Sequence, residues 1–249
     1  MKEIKDFINS NLNTDNQNKS IVFFDIDDTI LIQDHPACYY SNIKKYYDDI
    51  KQIPEEYHNV DSTVAFCNTL FYDSLVFDEG FYDIMNNVKC PKLACTALIS
   101  GDYYCLRPIE EFRYQVLRSK NIIFEDQIPS LPQRIVFDSL PQYLGSYPVY
   151  HKGILVSNSE CGPNNKGTVI ESFLNYNNLC PEQIFMIDDK MKNLLNISAV
   201  LDHRSCNFFG IHFNGAMNYL APDISQRDFI NFWKHCYQRA SDDFRNKLY

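Results

Sequence analysis

Ile21-Val22-Phe23-Phe24 is a continuous apolar run that stops at Asp25, and the pattern returns far along the chain, where Ile184-Phe185-Met186-Ile187 runs into Asp188-Asp189. A run without polar alternation belongs to a strand covered on both faces, the condition of strands in a parallel sheet. Two such strands, each ending in carboxylates, constrain the fold of the 249 residues more than any other feature. Leu93 to Ile99, closed by Ser100-Gly101, and Ile154-Leu155-Val156, followed by Ser157-Asn158, add strands of the same kind. Helical stripes lie between them, one of Ile109, Phe112, Val116 and Leu117 and another of Val169, Ile170, Phe173 and Leu174. Alternating strands and helices predict an α/β fold, a Rossmann-like doubly wound parallel sheet.

The chain divides into four stretches. Residues 1–31 hold a short helix (Ile4, Phe7, Ile8, Leu12), the Asn-rich loop Asn13 to Asn18 and the first strand. From 32 to 88 the strand signal disappears and seven of the seventeen tyrosines lie among acidic residues, which predicts a small, mainly helical insert. Those tyrosines are expected mostly to form the insert's own core. Residues 89–220 complete the sheet domain, and Pro129, Pro132, Pro141 and Gly145 mark an irregular region with room for a hairpin. Residues 221–249 form a closing helix, packed on or extending from the core, with Phe229, Phe232, Trp233, Cys236 and Tyr237 on its apolar face.

Composition narrows the function. A net charge of −9 argues against a protein that neutralises phosphates along nucleic acid. No apolar stretch approaches the ~18 residues that span a bilayer and no signal-peptide core follows Met1, so a cytoplasmic chain is expected. Nine cysteines, none paired as C-x-x-C, read as reduced thiols rather than a zinc site or a disulfide framework. None has an Arg six positions later, which sets aside the cysteine-phosphatase mechanism.

In an open parallel sheet ligands bind outside the carboxyl ends of the strands, so Asp25, Asp27, Asp28, Asp188 and Asp189 are expected to converge there. Carboxylates at such short range raise one another's pKa unless a cation offsets them, and hard oxygen donors suit Mg²⁺, which also grips phosphate oxygens. In an extended or gently looped stretch Asp25 and Asp27 would point the same way, one to attack and the other to move protons.

Phe23-Phe24-Asp25-Ile26-Asp27-Asp28-Thr29 strongly resembles the first motif of the haloacid dehalogenase superfamily of aspartate-nucleophile phosphatases, an apolar strand followed by D-x-D-x-T. Asp188-Asp189 after its strand resembles the superfamily's paired acids, and Lys166 in Asn165-Lys166-Gly167 its helix-start lysine. The motif's Ser or Thr is either Ser100, preferred for the turn residue after it, or Thr96. Leu117 to Phe124, Lys152 to Leu155 and Asp188-Asp189-Lys190 are similar to a subgroup from intracellular bacterial pathogens, some of whose members act as effectors translocated into a host cell.

The resemblance implies a Mg²⁺-dependent phosphatase. Asp25 would form an aspartyl-phosphate while Asp27 serves as acid and then base. Ser100 would bond a phosphate oxygen, Lys166 would supply positive charge, and Asp25, the Asp27 carbonyl, Asp188 and Asp189 would hold the metal. The substrate is a phosphomonoester, with a phosphotyrosine side chain of a host protein preferred. The competing expectation is a catalytically weak module that binds a host protein or membrane phospholipid. Lipid attraction is weakly supported, since Asp228, Asp242 and Asp243 offset the closing helix's cations. A nucleotide-dependent enzyme ranks below both, because neither G-x-x-x-x-G-K-[ST] nor G-x-G-x-x-G occurs.

Overall fold

The computed structural model describes residues 1–12, 19–57, 62–102, 108–159 and 162–246. The Asn13 to Asn18 loop read from the sequence lies outside these. The chain forms two compact units, Met1–Ile30 with Val76–Phe213, and Leu31–Leu75 with Asn214–Tyr249.

The first unit is built on β1 (Ser20–Phe24), β4 (Lys92–Thr96), β7 (Ile154–Val156), β8 (Gln183–Asp188) and β9 (Asn207–His212). They pair in parallel in the order β7-β4-β1-β8-β9. β5 (Arg134–Val136) and β6 (Val149–His151) continue the β7 edge in antiparallel fashion. The result is an α/β unit with a mostly parallel central sheet and flanking helices, consistent with the Rossmann-like expectation. β5 and β6 pair antiparallel across a loop that contains Pro141 and Gly145, the hairpin anticipated there, and β6 and β7 form a second, tight hairpin. There Lys152 and Gly153 both have positive φ, and a Cβ on Gly153 would sit 2.2 Å from the Phe124 carbonyl oxygen.

The chain leaves β1 toward β4 and β7, then crosses back to β8 and β9 on the other side of β1. On one face α7 (Lys166–Tyr176) and α8 (Met191–Leu201) bury Val169, Ile170, Phe173 and Leu194 against Ile21, Phe23, Leu93 and Met186. Side chains of alternate strand residues point the other way. Phe24 meets Phe81 of α5 (Gly80–Asn87) edge-on at 5.2 Å and Phe124 at 6.1 Å. α5 thus belongs to the sheet unit. The insert ends near residue 75 rather than at 88, because Phe81 is an anchor for β1.

The second unit joins the insert to the end of the chain. Short strands β2 (Leu31–Gln33) and β3 (Ser74–Val76) pair, and helices α2 (Tyr40–Lys45), α3 (Tyr47–Glu56) and α4 (Ser62–Cys67) lie between them. α10 (Gln226–Asn246) falls in the same unit as the insert. Its Phe229, Phe232, Trp233 and Cys236 form one core with Ala37, Cys38, Ile53 and Ala65. Trp233 Nε1 donates to the Ala37 carbonyl (3.2 Å), and the His35 ring stacks on Phe232 at 4.0 Å. Several of the tyrosines are spent inside this unit, Tyr39 on Tyr219, Tyr46 on Phe229 and Tyr72 on Phe232. The seven cysteines among the described residues are free, and no described helix is long and apolar enough to cross a membrane.

Candidate active site

β1 is central and the strand order reverses around it, which makes the carboxyl ends of β1 and β8 the place where a crevice opens. Phe24 is in register with Ile187, and the Asp25 N–H donates to the Ile187 carbonyl at 2.8 Å, so Asp25 and Asp188 stand side by side on neighbouring strands. Asp189 joins them. One carboxylate oxygen from each of the three lies within 4.8 Å of the other two.

Lys166 enters from the first position of α7. Asn165 and Thr168 close a reciprocal cap around the helix start. Gly167 lets that start lie against α8, where a Cβ would come to 3.0 Å from Ile197 Cα. The ammonium, 1% exposed, donates to Asp25 Oδ1 (2.5 Å) and Asp188 Oδ2 (2.6 Å). Asp188 also accepts from the Lys190 N–H (2.8 Å) and from Asn193 Nδ2 (3.0 Å), which fixes its orientation. Among the described residues Asp25 Oδ2 receives only the Thr29 hydroxyl, at 3.4 Å.

Three carboxylates around one ammonium leave an excess of negative charge in a buried place. Burial, with Asp188 and Asp189 adding to it, pushes Asp25 well above the usual carboxylate range against the pull of Lys166. Asp189 is raised to about 6 by burial and by Asp28 and Asp188. Burial would depress Lys166, but Asp25 and Asp188 outweigh it and its pKa is raised. Beneath them, burial lifts the Cys95 thiol to about 12, so it stays a neutral neighbour. A divalent cation would remove the charge excess, and an all-oxygen donor set fits Mg²⁺.

The Asp27 carboxylate is not one of the three that converge. Beyond Asp27 the chain turns over residues 28–30, where the Ile30 N–H donates to the Ile26 carbonyl (2.8 Å) and Asp28 takes φ of 61°. Arg113 Nη2 donates to both of its oxygens (2.8 and 3.1 Å). Arg113 is 1% exposed and sits on α6 (Ile109–Ser119). Ser100 is buried, yet its hydroxyl donates to the Tyr147 carbonyl and its N–H to Asn158 Oδ1, so its hydrogen bonds run to the surrounding loops rather than to the acids. β4 ends at Thr96, four residues earlier than Ser100.

The sequence reading missed Arg113 and Asn193. Arg113 interrupts an apolar stripe, four residues from both Ile109 and Leu117, and a charge at that spacing is the signal that it is buried with a partner. Asn193 lies in the first turn of α8, directly after the strand that ends in Asp188-Asp189.

Fold and site together define an α/β protein with an acidic, lysine-bridged centre at the switch point of its sheet. Residues 1–235 match the family described as protein of unknown function (DUF2608), and the chain belongs to that family. It is similar to uncharacterized proteins of Rickettsia: one of Rickettsia prowazekii at 30% identity, covering 62% of this chain and 51% of the relative, and one of Rickettsia felis at 28%, covering 54% and 45%. The chain spans about half the length of the curated relatives it matches. No solved structure matches it significantly. The expected membership of the haloacid dehalogenase superfamily is corrected by this outcome, since DUF2608 is the family that matches and no haloacid dehalogenase family does. The physical reason is that strand-end motifs of a few residues specify local geometry, which unrelated doubly wound sheets share.

Proposed function

We propose that the chain is a Mg²⁺-dependent phosphomonoester hydrolase acting through an aspartyl-phosphate on Asp25. The observation that carries this reading is the meeting of Asp25, Asp188 and Asp189 at Lys166, on adjacent strand ends of a parallel sheet. Asp25, Asp188 and Asp189 would hold Mg²⁺, with the Asp27 carbonyl completing the protein's share. When bound, the ion neutralises the carboxylates and the phosphate oxygens that must approach them.

Asp25 Oδ1 is engaged by Lys166, which leaves Oδ2 to form the bond to phosphorus as the bond to the ester oxygen breaks. Lys166 contributes a compact positive charge against the charge spread over the equatorial oxygens. Arg113 orients Asp27, whose role is to protonate the leaving oxygen and then to take a proton from the water that cleaves the aspartyl-phosphate. The hydroxyl at the end of β4 is that of Thr96, which accepts from the Leu98 N–H (3.3 Å) and keeps its own hydrogen for a phosphate oxygen, the part first given to Ser100.

Hydrolysis of an aryl phosphate, with and without Mg²⁺, compares the native chain with Asp25→Asn. The expected result is Mg²⁺-dependent turnover that falls by at least about 10³-fold in the variant. Equal rates in both proteins would remove the proposal. Phosphotyrosine peptides extend the same assay to the preferred substrate.

A further inference from the structure

The opposite end of the same strands carries the opposite charge. A cavity of about 820 Å³ opens at the amino ends of β1, β4 and β8, within the sheet unit. Lys19, Lys89 and Lys92 line it, and no Asp or Glu is among its lining residues, in a chain of net charge −9. Most of the remaining wall is apolar, including Ile21, Met85 and Val88 on one side and Ile128 and Leu179 on another. Its size is that of a site for a small organic molecule, and its wall offers both apolar side chains and polar groups.

Lys92, the first residue of β4, is the unusual member. It is only 6% exposed, and its ammonium donates to the carbonyls of Val88 (2.8 Å) and Cys90 (3.0 Å). No carboxylate accepts from it among the described residues. Two neutral dipoles satisfy two of its three N–H groups without balancing its charge, and an ion in that condition is costly to bury. The Lys19 ammonium is engaged by Glu182 (2.5 Å), while Lys89 reaches only the Asn86 carbonyl, at 3.4 Å. Burial, with Lys89 acting in the same direction, holds the Lys92 amine below its ordinary pKa. An anion beside Lys92 and Lys89 would supply the missing charge, and an apolar body behind it would displace water from the wall.

We propose that this cavity is a binding site for a small amphiphile, an apolar chain or ring carrying one anionic head, with Lys92 and Lys89 holding the head and Met85, Ile128 and Leu179 the apolar part. The site is separate from the carboxylate centre and does not depend on the phosphatase reading.

The test is titration of the full chain, followed by NMR, with octanoate, octane-1-sulfonate, 1-octanol, octyltrimethylammonium and acetate. The expected result is saturable shifts of Met85, Ile128 and Leu179 with both octyl anions, and at least tenfold weaker binding of the alcohol, the cation and acetate. Lys92→Met should weaken the octyl anions at least tenfold and leave 1-octanol unchanged. Lys89→Met, outside the contacts that tie β4 to α5, should weaken them severalfold in a protein that folds normally. Equal binding of octyl anion, alcohol and cation would overturn the proposal, as would acetate binding as tightly as octanoate or the absence of saturable shifts at the cavity.

Discussion

The two ends of the central strands form a matched pair with opposite chemistry. β1 (Ser20–Phe24) is flanked by Lys19 and Asp25, β4 begins at Lys92 and ends at Thr96, and β8 begins at Gln183 and ends at Asp188. At the carboxyl end a buried lysine is surrounded by anions. At the amino end a buried lysine meets only carbonyls. The difference teaches that burial of a lysine does not define its function; the groups that share its cavity do. Lys166 completes a centre, whereas Lys92 leaves one open to an anion.

The same substitution at both ends gives the sharpest contrast. Lys166→Met leaves carboxylates buried without their cation and should cost about 3–5 kcal/mol in urea denaturation of the metal-free protein. Lys92→Met removes a charge and strands only neutral carbonyls, so the loss should stay below about 1.5 kcal/mol. Equal losses would break the comparison.

Arg113→Met tests the next layer. Asp27, partly exposed, would lose a charged partner at a cost of about 1.5–3 kcal/mol. If Arg113 serves to position Asp27, turnover should fall with Asp27→Asn by about 10²–10⁴-fold, and adding Arg113→Met to that variant should reduce it little further. Additive losses would show that Arg113 acts elsewhere.

The smallest effect belongs to the half-exposed cluster of Glu111, His151 and Lys152. Burial would raise Glu111, but hydrogen bonds from Gln115, Lys152 and His151 hold it at about 2. A depressed carboxyl stabilises the fold above its unfolded pKa, about 4.3, and loses that contribution as the pH falls toward 2. Glu111→Gln should therefore cost no more than about 1 kcal/mol at pH 7, and its difference from the native chain should shrink as the pH is lowered to 3. A gap that widens in acid would contradict the assignment.

The sheet was legible because its strands are uninterrupted apolar runs, a pattern that burial on both faces imposes. The meeting of Asp25, Asp188 and Lys166 was legible for a related reason: two strand ends and a helix start carried the charges. What the sequence concealed depends on partners distant along the chain. Arg113 donates to Asp27, and no local pattern announces a bond between residues 86 positions apart. α10 shows the same limit. Its aromatic face announces burial but not which surface buries it, and residues of the insert form one core with it. Family membership was misread from motifs whose physical content is strand-end geometry alone.

The central claim is that Asp25 accepts a phosphoryl group. Brief exposure of the Mg²⁺-loaded protein to an aryl phosphate, quenching with borohydride and mass analysis of the peptides test it directly, because borohydride reduces an aspartyl-phosphate to homoserine. The account predicts homoserine at position 25 only, and none when the aryl phosphate is withheld. Steady hydrolysis of the aryl phosphate with residue 25 recovered unchanged, or reduction at another carboxylate instead, would contradict it.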